Sequence, residues 1–397
     1  MTHLHHFKKS LNTSVDDSVL EFSDYLIFFN SKLLIFIETY FPVTIQPMVH
    51  HMTGGGKRIR GIFSLLFTGV NIKLSKDDEN TECQENIIQI AIIIELLHCL
   101  SLVIDDSPSM DNDDYRRNKH SFHKKYGIEK TNFFCYYLIN KLIITLNQLL
   151  LPLKKPDIFI NLIKSNIRYL LDGQCIDINT ALYTNYDNHE NIVNNENNID
   201  IQLNKNQSKS IIKRCHSDSD IDKTDIDILF KQIGYSNYFK DELKLVLNLI
   251  PIDFPLHKLE RLSNNVELNL KKTSSLFYLA IVMPVLYKQH HYKVELTDEC
   301  IKRIGMWANL FGILFQYSDD MLDIEQDLIK GKPNITSILN KNLVDKFIQN
   351  GIGKLNNEYI DIINEFHMTY KELKLPDYPL DTPSVIEHIL NLVKGRY

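Results

Sequence analysis

Five aspartates and two arginines crowd into residues 102–117, which read LVIDDSPSMDNDDYRR. The acids are Asp105, Asp106, Asp111, Asp113 and Asp114, and Arg116 and Arg117 follow them. An apolar, helix-periodic run precedes the stretch. Pro108 cannot continue a helix, so Asp105 and Asp106 are expected near a helix C-terminus. Carboxylates are unfavourable there, because the macrodipole already places negative partial charge at that end. Two carboxylates about 4 Å apart also repel by on the order of 4 kcal/mol at an effective dielectric near 20. Compensating positive charge is required, and either a divalent cation or the stretch's own arginines can supply it. A second cluster, FQYSDDMLD at residues 315–323, has Asp319, Asp320 and Asp323 at positions i, i+1 and i+4. In a helix Asp319 and Asp323 share a face, with Asp320 beside them. Flanked by Phe311, Leu314, Phe315, Met321 and Leu322, these acids make poor core residues. Magnesium suits two facing clusters of this kind. It takes one or two carboxylates per site, keeps several waters and completes its shell with substrate phosphate oxygens. A phosphorylated substrate is the expected ligand.

Phosphate also calls for direct cations. Gly54-Gly55-Gly56-Lys57-Arg58-Ile59-Arg60 is a glycine run followed by three basic residues, without the GxxxxGK[ST] spacing of a P-loop. Arginine offers forked donors and lysine a point charge, so Lys57 and Arg60 are candidates to hold one diphosphate. Read alone, the same run is better taken as an ordinary basic loop. His98 lies on an apolar helix face, where a hydrogen-bonded core histidine is the competing reading. Trp307, Phe311 and Phe315 recur at helical spacing and read as core packing, and His3, His5 and His6 as a flexible terminus.

The elements that must position these residues read as helices. Leu26, Phe29, Leu33 and Phe36 recur every three or four residues, as do Leu243, Val246, Leu247 and Ile250, and Tyr359, Ile362, Ile363 and Phe366. Period-2 alternation bounded by hairpin turns is missing, so an all-α fold is expected. The 397 residues are 44% hydrophobic with 14 Gly and 12 Pro, which excludes disordered and turn-dominated classes. A net charge of −6 gives no basic face for nucleic acid. Six scattered cysteines without a CxxC pair point to a reducing compartment. No signal peptide is read at the N-terminus, and Gln89, Glu95 and His98 interrupt the apolar run 87–104, which argues against a transmembrane segment. Residues 188–206 include eight asparagines in nineteen positions. Such a segment buries too little apolar surface to offset its ordering entropy, so residues 184–224 read as a disordered insertion or as an arm that folds on a partner.

Taken in order, the motifs resemble those of the trans-isoprenyl diphosphate synthases, the polyprenyl synthetase family, and most closely the geranylgeranyl diphosphate synthase type. The matching landmarks are Gly55-Gly56-Lys57-Arg58-Ile59-Arg60, Glu95-x2-His98, Asp105-Asp106-x4-Asp111 with Arg116-Arg117, and Gly173-Gln174-x2-Asp177. Lys272-Thr273, Phe315-Gln316-x2-Asp319-Asp320-x2-Asp323 and Gly331-Lys332-Pro333 complete the set. The resemblance covers roughly residues 40–183 and 265–340. It implies an isoprenoid synthase fold: one all-α domain over residues 1–397, a large helical bundle around a deep central cavity, with the acidic motifs facing each other at its mouth. It also implies a cytoplasmic homodimer that condenses isopentenyl diphosphate head-to-tail (1′-4) with an allylic diphosphate. Asp105, Asp106, Asp111, Asp319, Asp320 and Asp323 would hold two to three Mg2+ ions. Arg116, Lys272 and Lys332 would bind the allylic diphosphate, while Thr273 and Gln316 would turn oxygen dipoles to the allylic cation. Lys57, Arg60, His98 and Arg117 would hold the diphosphate of isopentenyl diphosphate.

In this family the residues four and five positions upstream of the first motif often floor the product channel. Here they are Ser101 and Leu100, neither of them aromatic, which resembles the geranylgeranyl type and disfavours a farnesyl stop. Farnesyl or longer-chain synthesis, a terpene cyclase and a catalytically silent regulatory subunit are the competing readings. The intact Asp319-Asp320-x2-Asp323 opposes the cyclase, and the presence of all six acids opposes the silent subunit. The chain departs from the pattern with Ile104 where many relatives have His, Gly61 where Pro is usual, and a short loop between Asp323 and Lys332 in which Lys330 stands for a second lysine. If Ser101 floors the channel, Ser101→Phe shortens the products seen by chromatography; an unchanged chain-length profile removes that role.

Overall fold

Apolar side chains recurring every three to four residues fold into helices along nearly all of the described chain. The computed structural model describes residues 17–72, 81–187, 240–247, 256–330, 334–373 and 382–395. These residues form two compact units.

The first unit comprises the described residues of Met1–Ile160, Ala280–Leu296 and Tyr359–Leu392. It contains α1 (Asp17–Tyr40), α2 (Gln46–Thr53), α3 (Ile59–Thr68), α4 (Thr81–Asp105), α5 (Phe122–Tyr126) and α6 (Ile128–Leu150). Every residue of α3 is buried, and Phe67 meets Tyr359 edge-on with centroids 5.0 Å apart. The periodic positions Phe29, Leu33 and Phe36 of α1 are buried, as are Tyr359, Ile362, Ile363 and Phe366. Burying each such side chain contributes about 1.5–3 kcal/mol relative to exposure. Gly61 on α3 has a packing reason: a Cβ there would sit 2.2 Å from the Phe29 ring. Between α4 and α5 lies a small antiparallel hairpin, β1 (Tyr115–Arg116) with β2 (Lys119–His120). Its two loop residues, Arg117 and Asn118, have φ of 51° and 60°, the type I′ geometry that suits a two-residue hairpin. Among the described residues this hairpin is the only sheet, so the all-α expectation holds apart from it.

The second unit comprises the described residues of Asn161–Leu279, Thr297–Glu358 and Val393–Tyr397. It holds most of α7 (Pro156–Asp187), then α8 (Lys240–Leu247) and α9 (Leu256–Asn269). A π-helical turn at Leu270–Ser274 leads into α10 (Ser275–Tyr292). The unit continues with α11 (Asp298–Leu322), α12 (Ile324–Lys330), a 3-10 turn (Ile335–Ser337) and the first half of α13 (Lys341–Glu372). The chain ends in α14 (Thr382–Lys394). Thr297 caps α11 by accepting from the Cys300 amide, and Asp298 and Glu299 complement the dipole in the first turn. Trp307 and Phe311 stack at 5.6 Å in the core as expected, and the indole donates to the Leu355 carbonyl at 2.8 Å. Leu243, Val246 and Leu247 lie on α8, whereas Ile250 falls outside the described residues.

Helix α7 extends through the first four residues assigned to the Asn-rich insertion, and residues 188–224 lie outside the described residues. Two described helices, Glu82–Asp105 and Ile128–Leu150, are long and apolar enough to cross a membrane by length and composition. The first is largely buried inside the protein, and the second only in part.

One defect in the first unit is answered elsewhere in that unit. Pro284 sits inside α10 and has no N–H for the Ala280 carbonyl. The Ser64 hydroxyl, fully buried on α3, donates to that carbonyl at 2.6 Å. Ser64→Ala therefore strands a buried acceptor and should cost about 1–3 kcal/mol in urea unfolding. In a Pro284→Ala background, where the helix supplies its own donor, the same change should cost markedly less.

Candidate functional site

In the first unit, helix α4 stops at Asp105, as the proline two positions beyond Asp106 requires. The chain then folds back on itself. The Asp111 amide donates to the Asp105 carbonyl at 2.9 Å, capping one of the helix's orphan acceptors. The four residues between Asp106 and Asp111 make this reversal, and Asn112 follows it at φ 51°. Asp105 and Asp111 are half-buried. Asp106 is 2% exposed and grips Arg116 in a forked pair, with Nε 2.8 and 2.7 Å from its two oxygens and Nη2 2.6 Å from Oδ1. The compensating cation foreseen for the acidic pair is thus, for Asp106, an arginine of the same stretch.

The basic run converges on the same end of α4. Arg58 occupies the left-handed region at φ 52° just ahead of α3, and its buried side chain has structural partners. It donates to Asn30 Oδ1 at 3.1 Å and to the Thr53 carbonyl, and its Nη1 lies 3.6 Å from Glu95 Oε1. This lock sets Lys57 on the exposed side and Arg60 on the buried side. Glu95, quoted above as a landmark, is the buried counter-charge to Arg58. Arg117 lies over the glycines: its Nη1 donates to the Gly55 carbonyl at 3.0 Å, and a Cβ on Gly56 would meet its guanidinium at 2.9 Å. Gly55 and Gly56 have φ of 84° and 97°, so glycine serves both the turn and the close approach here. His98 is pushed well below the usual histidine range, first by burial and then by Arg60, Arg117, Arg116 and Arg58. It is neutral at physiological pH. Leu100 is buried, and Ser101, half-buried one turn before Asp105, donates to the His98 carbonyl at 2.8 Å.

In the second unit, the π-helical turn carries Lys272 and Thr273, the kind of local helix distortion often found at functional sites. Two glycines let neighbouring helices close on it. A Cβ on Gly173 of α7 would lie 2.6 Å from the Lys272 amide nitrogen, and one on Gly312 of α11 would lie 2.6 Å from Ser274 Cα. The Lys272 ammonium meets the Asp177 carboxylate. The Thr273 hydroxyl donates to Gln316 Oε1 at 3.0 Å, and Gln316 Nε2 donates to Asp320 Oδ1 at 2.9 Å. Helix α11 ends at Leu322, one residue before Asp323, so Asp319 and Asp320 lie in its last turn and Asp323 is its C-cap. Asp320 is buried, and its Oδ2 accepts from the Ile335 amide at 2.9 Å. Burial pushes its carboxyl up to about 7; the bonds from Gln316 and Ile335 pull the other way, and Asp327 and Asp319 add to the rise. Asp319 is half-buried and Asp323 exposed. Lys332 lies outside the described residues.

Among the described residues no three His, Cys, Asp or Glu side chains gather as a metal group. The donor chemistry still fits magnesium, which needs only one or two carboxylates from each motif. Asp106 and Asp320 are turned onto protein donors. In the first unit Asp105 and Asp111, and in the second unit Asp319 and Asp323, are the carboxylates of each motif that would hold such an ion. Asn334 was not singled out from sequence. Its amide donates to the Asp320 carbonyl and to Asp327 Oδ2, each at 2.8 Å, tying the end of α11 to α12. Asp327 had a legible signal, four residues beyond Asp323. Asp177 stood in a landmark without a role, and the structure gives it the Lys272 pairing.

A geranyltransferase from Helicobacter pylori, solved with magnesium and isoprenyl diphosphate, is 18% identical with a TM-score of 0.52, covering 94% of this chain and 98% of that one. That likeness shows the isoprenoid synthase fold. The polyprenyl synthetase family model matches residues 42–205, so the resemblance read from the motifs is shown over that stretch. A chloroplastic geranylgeranyl pyrophosphate synthase from Capsicum annuum is 38% identical over 85 residues, 21% of this chain and 20% of that protein. A farnesyl diphosphate synthase from Geobacillus stearothermophilus is 42% identical over 82 residues, 21% of this chain and 25% of that protein. The chain spans only a fifth to a third of the length of the curated relatives it matches.

Gly312→Ala should displace the π-helical turn, because the added carbon meets Ser274 backbone as well as its side chain. A stability loss of about 1–3 kcal/mol is expected in urea unfolding. Turnover at this site should fall about 100-fold, since displacements near 1 Å are that costly to positioned groups.

Proposed function

We propose that this protein is a magnesium-dependent trans-prenyltransferase joining isopentenyl diphosphate head-to-tail (1′-4) to an allylic diphosphate, with release of diphosphate. The observation that carries the reading is the set of basic side chains at the C-terminal end of α4, with Arg116 held by Asp106 and Arg117 on the Gly55 carbonyl, beside the Asp105–Asp111 turn. A diphosphate is the substrate group that needs both forked cations and a metal.

Lys57, Arg60, Arg117 and His98 hold the diphosphate of the attacking isopentenyl unit. A neutral His98 contributes a hydrogen bond there without adding charge to three nearby arginines. Arg116 and Lys272 orient the allylic diphosphate, and Lys332 is assigned to the same group. Asp105 and Asp111, and Asp319 and Asp323, would hold two to three magnesium ions, which when bound would supply Lewis-acid neutralisation of the leaving diphosphate. Thr273 donates its proton to Gln316, which leaves its oxygen lone pairs to face developing allylic cation charge. The released diphosphate removes the proton, so no protein base is required. Buried Leu100 and the small Ser101 favour a geranylgeranyl product.

The assembly we propose is a homodimer. Phe133, Tyr136, Ile143 and Ile144 of α6 support it, because they are exposed at helical spacing and leave an apolar face that a second copy would cover. A reducing, cytoplasmic location is supported by five free cysteines among the described residues.

The test is incubation of purified protein with isopentenyl diphosphate, Mg2+ and geranyl or farnesyl diphosphate, followed by product chain-length analysis. Elongation to the geranylgeranyl length is expected. Folded protein that elongates none of the allylic primers rules the reading out. Asp105→Ala and Asp319→Ala should each lower kcat by about 100-fold or more, the scale of losing transition-state charge stabilisation.

A further inference from the structure

The hairpin after the first acidic motif puts a basic residue at three of four consecutive positions, Arg116, Arg117 and Lys119. Arg116 and Lys119 are directly paired across the strands, a like-charge pairing that is unfavourable by itself. Arg116 is compensated by Asp106, and Lys124 nearby by Asp114 at 2.9 Å. Lys119 has no carboxylate within salt-bridge distance among the described residues. Its ammonium instead rests on the glycine run: a Cβ on Gly54 would meet Nζ at 2.9 Å. Arg117 lies over Gly55 and Gly56 in the same way. The two side chains therefore run side by side across three residues that carry no side chain of their own, next to exposed Lys57.

The surroundings also carry positive potential and room for an anion. Lys119 lines a pocket with His51, Gly54, Asp106, Arg116, Arg117 and His120. His51 Nε2 lies 3.0 Å from the His120 carbonyl, which can only accept, and the Lys125 ammonium lies 3.2 Å from Nδ1. Those two partners require the neutral tautomer with its proton on Nε2. Burial first, and then Lys125 and Lys119, lower its proton affinity further. With His51 neutral, Arg117 and Lys119 are the pocket's cations for which no carboxylate pairing is found among the described residues.

We propose that Lys119 is a further diphosphate-binding residue, extending the Lys57–Arg117 grip on the isopentenyl substrate across the Gly54 backbone. This rests on the function proposed above. Lys119→Ala should raise the KM for isopentenyl diphosphate about five- to tenfold, the scale of one charge-assisted contact at a partly exposed site. The KM for the allylic substrate should stay within twofold, and Lys119→Arg should restore the isopentenyl value. An unchanged isopentenyl KM, or a rise confined to the allylic substrate, overturns the assignment. Calorimetric titration with inorganic diphosphate in the absence of metal separates this proposal from the enzymatic one. Weaker binding by Lys119→Ala supports the anion contact even if wild-type protein elongates no primer, and equal binding by both proteins rejects it.

Discussion

Carboxylates at the negative ends of helix dipoles are the constraint on which this molecule turns. Helices α4 and α11 are each 25 residues long, and each closes on an aspartate pair at or next to its last turn. Backbone carbonyls at such an end lack intrahelical donors, and the macrodipole repels added negative charge. In both places the chain answers with donors brought from further along. The Asp111 amide caps the Asp105 carbonyl, and the Asn334 side chain caps the Asp320 carbonyl. One carboxylate of each pair is also turned inward onto a fixed partner, Asp106 onto Arg116 and Asp320 onto Gln316 and the Ile335 amide. The other acid of each pair, Asp105 or Asp319, is only half-buried. The buried aspartates Asp106 and Asp320 hold the geometry of the two helix ends.

Close approach of backbones does the corresponding work for the cations. A long basic side chain is a poor positioning device because it has much rotamer entropy to lose. Here the loss is offset by surfaces that admit only one arrangement. Arg117 lies over Gly55 and Gly56, and a Cβ on Gly56 would push its guanidinium away. Lys272 leaves a π-helical turn wedged between Gly173 and Gly312, and Asp177 fixes its tip. Gly61 belongs to the same logic at one remove. By admitting the Phe29 ring against α3, it seats the helix that presents Arg60.

The acidic motifs, the basic run and the helical class were legible because each rests on local spacing. Asp105-Asp106 before a proline announces a helix end, and Tyr359, Ile362, Ile363 and Phe366 announce a buried face. What could not be read depends on partners distant in sequence. Nothing near Arg58 says that it is bound to Glu95 and Asn30 while its neighbours Lys57 and Arg60 are presented, since all three residues are basic. Nothing near Asp320 says that it turns onto Ile335. The pairing of Ser64 with the carbonyl freed by Pro284 joins residues 216 positions apart. Asp327 is the opposite case: its spacing from Asp323 was visible, and its meaning appears only through Asn334.

A net charge of −6 describes this chain poorly, because the functional charges are segregated by sign and by the backbone feature that holds them. Acids occupy helix ends; cations lie on glycine runs, a hairpin and a π-helical turn. His98 shows why the segregation matters. Burial and four arginines keep it neutral, and an imidazolium there would add a fifth positive charge to a desolvated cluster. Folding itself fixes Arg58 on Glu95 and Asn30, Arg116 on Asp106 and Arg117 on the Gly55 carbonyl. The cost of holding those cations together is met by folding, so an anion arriving there would not have to assemble the site.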